Sequence, residues 1–337
     1  MPIAILLVAL ASLVQPGRAQ DQSGTRSDFL RLIDRARVPP APDVAALPSS
    51  GRFTREHFSF STEARERVPG IAMKATAARA RLPAVIVLHG TGDSKDGMAP
   101  LLEALAGRGF LAVAIDGRHH GERAAGPNDY VRAILQTYRT GQGHPFLYDT
   151  VWDAMRLVDY LETRPDVDRA RIGMMGISKG GMETYLAAAV DPRIAAAIPV
   201  IGVQSFGWAL ANNAWQARVE TILPAVAGAA RDGLRSLDAE FVQDFYDRVV
   251  PGIYAEFDGP AMLPFIAPRP LLVINGDSDA LTPLPGVQES AKAAEGAYRR
   301  AGAPDKFRLL VQPDAGHEFT VDAQRVALDW LVRWLKP

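Results

Sequence analysis

Short apolar runs alternate with longer amphipathic stretches over most of this chain. "PAVIVLHG" (83–90), "GFLAVAIDGR" (109–118), "RIGMMGIS" (171–178), "IAAAIPVIG" (194–202), "PLLVINGD" (270–277) and "FRLLVQPDAGH" (307–317) are such runs. Their length and continuity predict strands buried on both faces. Between and after them lie "MAPLLEALAGR", "TVWDAMRLVDYLETR", "KGGMETYLAAAV", "GVQESAKAAEGAYRRAG" and "DAQRVALDWLVRWL", which read as helices. Ahead of them "FTREHFSF" alternates like a half-buried strand, with "GIAMKAT" as its hairpin partner. Strand alternating with helix predicts an α/β fold: a mostly parallel central sheet with helices on both faces. The strands of the second half end in Gly, Asp, Ser or His, and sites in such sheets lie beyond the carboxyl ends of the strands.

Four regions stand outside this rhythm. Ile3 to Val14 is an apolar run of signal-peptide length, broken by Pro16 and Gly17, with Gly17-Arg18-Ala19 as a small-residue cleavage site. Residues 1–19 are therefore expected to be a signal peptide, and the protein secreted or periplasmic without stable membrane insertion. Residues 20–52 are polar and Pro-rich and read as a linker or N-terminal arm. Within the domain expected over 53–337, residues 119–149 and 203–268 are long excursions, the second rich in Trp, Phe and Tyr. Insertions of that length predict a helical cap over the site.

Composition narrows the chemistry. Lys+Arg is 37 and Asp+Glu 38, a formal charge of −1, so no basic surface points to nucleic acid. The absence of cysteine excludes disulfides, a thiol nucleophile and thiolate metal sites. His119, His120 and Glu122 crowd together, but adjacent residues do not converge as ligands and no second pair accompanies them. The glycine-rich stretches match neither a Walker loop nor a dinucleotide fingerprint, so no cofactor is expected.

The chemistry centres on "GISKG" (176–180), a G-x-S-x-G pattern between an apolar strand and a helix. In a nucleophile elbow the serine sits on a sharp strand-to-helix turn with its Oγ raised over the sheet. Ser178 could instead be an ordinary helix cap. A serine nucleophile needs a base, and of the six histidines only His317 follows Ser178, in the loop "DAGHEF". The base needs a carboxylate, which "VINGDSDALTP" supplies as Asp279 or Asp277; Asp279 is preferred because it lies further into the loop. The oxyanion donors are expected to be the backbone N–H groups of Lys179 and of Thr91, in the Gly-rich loop after the first core strand.

"LHGTGD", "IDGRHHGER", "GISKGG", "NGDSDALTP" and "AGHEF" together resemble the α/β-hydrolase superfamily, in the branch of acetyl xylan esterases, prolyl-oligopeptidase-type domains and dienelactone-hydrolase-like proteins. The resemblance spans roughly 53–337. It implies a serine esterase with Ser178, Asp279 and His317 as triad and Thr91 and Lys179 as oxyanion donors. It also implies that Asp116, Arg118 and His120 tie a loop down. His119 departs from the pattern, standing where glycine is usual. Lys179 departs too: its side chain is expected to point into solvent from the helix start, the alternative being a cation beside the oxyanion that would favour anionic intermediates or acidic substrates. The expected substrate is a small-molecule or polysaccharide carboxylic ester, an acetyl ester among the candidates. A prolyl-oligopeptidase-type peptidase and a non-catalytic binding protein on the same fold are the alternatives.

Overall fold

The computed structural model describes residues 22–78 and 80–336. The Ile3–Val14 run read as part of a signal peptide lies outside the described residues. Among the described residues no helix is long and apolar enough to cross a membrane.

The strands are β1 (Asp43–Ser50), β2 (Phe53–Glu63), β3 (Glu66–Ala75), β4 (Leu82–Leu88), β5 (Leu111–Ile115), β6 (Val167–Ile177), β7 (Ile194–Val200), β8 (Leu271–Gly276) and β9 (Phe307–Gln312). They form one sheet in the order β1-β2-β3-β5-β4-β6-β7-β8-β9. The β1, β2, β3 and β5 neighbours pair antiparallel. From β5 through β4, β6, β7 and β8 to β9 every pairing is parallel. The helices are α1 (Gln22–Ile33), α2 (Ala99–Gly107), α3 (Asp129–Thr140), α4 (Tyr148–Thr163), α5 (Lys179–Val190), α6 (Phe206–Ala211), α7 (Gln216–Val219), α8 (Leu223–Asp232), α9 (Ala239–Val249), α10 (Gly259–Met262), α11 (Leu284–Arg300) and α12 (Val321–Leu335).

Successive side chains of a strand point to opposite faces, and the parallel strands are apolar at both sets of positions. On β4, Ile86 and Leu88 join a core with Tyr148, Tyr185 and Tyr298, beneath α4, α5 and α11. Val85 and Val87 join a second core with Leu102, Trp330 and Leu331, beneath α2 and α12. The continuous apolar runs are thus the signature of a sheet covered on both sides. Both long excursions are largely helical. The first carries α3, the second α6 to α10, and α3 packs against α8 and α9.

The reading of 20–52 as a linker or surface arm is corrected here. Residues 22–33 are a helix, and 43–50 are the edge strand of the sheet. Phe29 is fully buried, edge-on to Tyr148 and Phe257 with both ring centroids at 5.0 Å. Arg26 donates to the Val190 carbonyl at the end of α5. The pattern hid this helix because so few of its residues are apolar, so no amphipathic stripe is visible. Phe29→Ala should destabilise the protein by about 3–5 kcal/mol, as expected for an aromatic removed from a core. Urea unfolding followed by circular dichroism measures it, and a change under about 1 kcal/mol would place α1 outside the folding unit.

Candidate active site

The elbow is built by chain geometry. β6 ends at Ile177 and α5 starts at Lys179, leaving one residue for the reversal. Ser178 makes it at φ 56°, ψ −115°, a conformation that strains any residue with a Cβ. The flanking glycines permit the close approach. A Cβ on Gly176 would stand 2.1 Å from the Gly180 carbonyl oxygen, and one on Gly180 would stand 2.3 Å from that of Leu88. The strand is held by the backbone N–H of Ser178, which donates to Val200 at 2.9 Å.

Three distant segments meet at this turn. His317 Nε2 lies 2.8 Å from Ser178 Oγ, and His317 Nδ1 lies 2.8 Å from Asp279 Oδ2. Asp279 also accepts from the Leu281 N–H at 2.8 Å, the Thr282 N–H at 3.1 Å and the Thr282 hydroxyl at 2.5 Å. Burial alone would raise its carboxyl pKa; the bonds from His317 and Thr282 outweigh it and hold the pKa below the usual range. Asp277, one turn earlier, faces solvent and accepts from the backbone N–H of Asp314 and Ala315. It pins the two loops together and does not touch His317. With Nδ1–H donated to Asp279, Nε2 is left as an acceptor for the serine proton.

Thr91 lines the same cavity as Ser178 and His317. Lys179 opens α5, where backbone N–H groups have no intrahelical acceptor. The expectation that its side chain reaches solvent is corrected. Lys179 is 1% exposed, its Nζ donating to Glu183 Oε1 at 2.6 Å and standing 5.9 Å from the centre of the Tyr130 ring. Both ends of this ion pair are buried, and burial pushes the Glu183 carboxyl up against the pull of Lys179.

The other histidines near the site are structural. His89 accepts from the Gly117 N–H at 3.0 Å, and its Nδ1 lies 2.8 Å from the Gly90 carbonyl. Burial, then the charge of Lys179, lowers its pKa to about 2. The same two causes lower that of His120 to about 3. Both rings are neutral at physiological pH. Asp116 accepts from the Lys95 and Glu122 N–H groups and from Lys95 Nζ, while Arg118 pairs with Asp153 and Glu63. His119 has φ 61°, which explains why glycine is usual there; its Nδ1 lies 2.9 Å from Asp129 Oδ2, a local bond available to this side chain. Among the described residues no cluster of His, Asp and Glu could hold a metal.

The space around Ser178 is small and enclosed, about 20 Å³, walled by Thr91, Phe146, Met182, Phe206, Tyr246 and Leu281, with Gln204 and the charged Arg218 also in its lining. Phe146 comes from the first excursion, Gln204, Phe206, Arg218 and Tyr246 from the second. Phe241 and Phe245, aromatic residues of the same excursion, are core instead. An open cleft of about 340 Å³ adjoins this cavity through Thr91 and Thr221 and is lined by Asp93, His119 and Asp129 among others. A depression of about 480 Å³ lined by Arg65, Glu66 and Arg123 does not include Ser178. Sequence reasoning passed over Gln204 and Arg218, because a glutamine and an arginine inside a variable insertion carry no spacing signal.

A half-buried serine hydroxyl on a strained turn, an imidazole acceptor and a buried carboxylate are the parts required for acyl transfer. A family model described as "Glucuronyl esterase, fungi" matches residues 69–302. The chain belongs to this esterase family. It is thereby a carboxylic ester hydrolase, which favours the ester reading over the peptidase and binding-protein alternatives. The chain is 26% identical to the Bacillus subtilis (strain 168) protein YtaP over 80% of its own length and 84% of that protein's. It is 29% identical to 4-O-methyl-glucuronoyl methylesterase 1 of Wolfiporia cocos over 51% of this chain and 41% of that one. The acetyl xylan esterase from Paenibacillus sp. R4 shares the fold, with a TM-score of 0.67 at 20% identity and 93% of each chain covered. The fold is therefore the α/β-hydrolase fold that the motifs pointed to. Those motifs identified the superfamily and did not single out the glucuronyl esterases within it.

Proposed function

We propose that this esterase works through an acyl-enzyme on Ser178. The observation that carries the reading is the unbroken hydrogen-bond chain from Ser178 Oγ through both nitrogens of His317 to Asp279. Ser178 Oγ attacks the acyl carbon while His317 Nε2 takes its proton. Asp279 holds the ring in the required tautomer and stabilises the imidazolium. The backbone N–H groups of Thr91 and Lys179 receive the oxyanion. His317 then protonates the departing alkoxide. A water, deprotonated by the same nitrogen, attacks the acyl carbon, releases the acid and restores Ser178.

The two helical excursions act as a cap, and the two spaces beside Ser178 divide the substrate. The enclosed cavity suits a short acyl group, and the open cleft, with Asp93, His119 and Asp129 in its lining, suits a hydroxyl-rich alcohol such as a sugar. The substrate is thus read as a short-chain ester, an acetyl ester among the simplest, of a small polyol or polysaccharide. The Ile3–Val14 run supports action outside the cytoplasm.

The test is a panel of p-nitrophenyl esters from acetate to palmitate, with acetylated xylan and methyl glucuronate as carbohydrate substrates. Acetate and propionate should exceed octanoate in kcat/KM by at least on the order of a hundredfold, the loss expected as soon as two methylenes misfit at about tenfold each. Best turnover of palmitate would overturn the small-acyl reading.

A further inference from the structure

Arg218 is the charged residue of the Ser178 cavity that the reaction above leaves unused. It is 4% exposed, yet among the described residues no carboxylate lies within ion-pair distance of it. Its Nη2 donates to the Leu281 carbonyl, and its guanidinium stands 5.2 Å from the Phe206 ring. Its Nε and Nη1 are buried with no hydrogen-bond partner. Whichever Nη2 hydrogen that carbonyl takes, the other still sits beside a free N–H, so one two-pronged edge of the fork stays open.

The nearby carboxylates are committed elsewhere. Asp279 is held by His317, Leu281 and Thr282. Asp258 accepts from the N–H groups of Phe206, Gly207 and Gly259 and from the Ser205 hydroxyl. A buried, always-charged group without a counter-ion is costly, and a well-packed apolar side chain of similar volume would ordinarily be favoured in its place. A guanidinium with an open edge matches a carboxylate.

We propose that Arg218 is a specificity-determining residue that binds a carboxylate carried by the short acyl group, so that the favoured substrates are half-esters of small dicarboxylic acids. The inference rests on Ser178 being the nucleophile, since it places the carboxylate a short spacer away from the carbonyl that Ser178 attacks. Ser178 and Arg218 line one small enclosed space, so the spacer joining the two ends of the acyl group is limited to one or two carbons. A neutral acyl group of the same length leaves the guanidinium edge unpaired and gains less on binding.

The experiment compares monoethyl malonate and monoethyl succinate with ethyl butyrate, read by acid release, for wild type, Arg218→Met, Arg218→Lys and Ser178→Ala. Wild type should prefer the half-esters in kcat/KM by on the order of tenfold or more. Arg218→Met should lose that preference, mostly through KM, with the half-esters falling on the order of tenfold further than ethyl butyrate; Arg218→Lys should recover part of it. Malonate should inhibit wild type competitively and Arg218→Met only weakly. The melting temperature of Arg218→Met should be unchanged or raised, because the lost group is an unpaired buried charge. Equal turnover of neutral and anionic esters by wild type, or equal loss of both in Arg218→Met, overturns the assignment. If instead Ser178→Ala still turns over ethyl butyrate, the nucleophile reading is what fails.

Discussion

Ser178→Ala should lower kcat by roughly 10⁵- to 10⁶-fold on every ester the wild type accepts, while the protein stays folded. The size follows from the hydrogen-bond chain. With Oγ gone, His317 has no hydroxyl to deprotonate, and no other nucleophile is proposed at the elbow. Catalysis would then be limited to what the oxyanion donors and binding supply to attack by water. Ser178→Gly is a poorer test, because a residue at φ 56° relaxes when its Cβ is removed and would confound activity with stability. Labelling by a fluorophosphonate probe is the companion measurement, with wild type labelled and Ser178→Ala blank. Turnover above about one per cent in a pure Ser178→Ala sample would mean that the ester is cleaved by another group.

Asp279→Asn should lower kcat by about 10⁴-fold. An amide at this position can present its NH₂ to His317 Nδ1, which forces the proton to Nε2 and leaves no acceptor facing Ser178. The carboxylate also accepts from Leu281 and Thr282, so the loop geometry survives in part through the amide oxygen. Asp277→Asn is the matched control. Its carboxylate holds the Asp314 and Ala315 N–H groups and has no bond to His317, so activity should stay within a few-fold. Stopped assays at neutral pH on both variants decide between the two acids. A larger loss in Asp277→Asn than in Asp279→Asn would reverse the assignment.

Legibility differed from element to element. The six buried runs became β4 to β9, and the segments read as helices became α2, α4, α5, α11 and α12, because burial on both sheet faces and on one helix stripe leaves a periodic trace. The placing of Ser178, Asp279 and His317 followed from loop position and chain order, and the structure brings these three side chains together. What escaped notice has physical reasons too. Helix α1 is mostly polar, and its few anchors, Phe29 and Ile33, mean something only once the pocket between α4 and the second excursion exists. The side chain of Lys179 looked like a solvated cation, yet it is buried because Glu183, one helical turn along, is buried beside it. The elbow position itself could not reveal that.

By itself the sequence determined the alternation of strand and helix, the serine between two glycines at a strand-to-helix junction, and the order in which serine, carboxylate and histidine arrive. These are local properties: periodicity, small residues where backbones cross, and polar residues at strand ends. Only the tertiary structure decided that Asp279 and not Asp277 faces the imidazole, that Lys179 is inward, and that Arg218 stands uncompensated beside Ser178. Those outcomes depend on which surfaces of distant segments meet. Burial and the pairing of charges are properties of the assembled molecule, and they leave no mark on residue spacing.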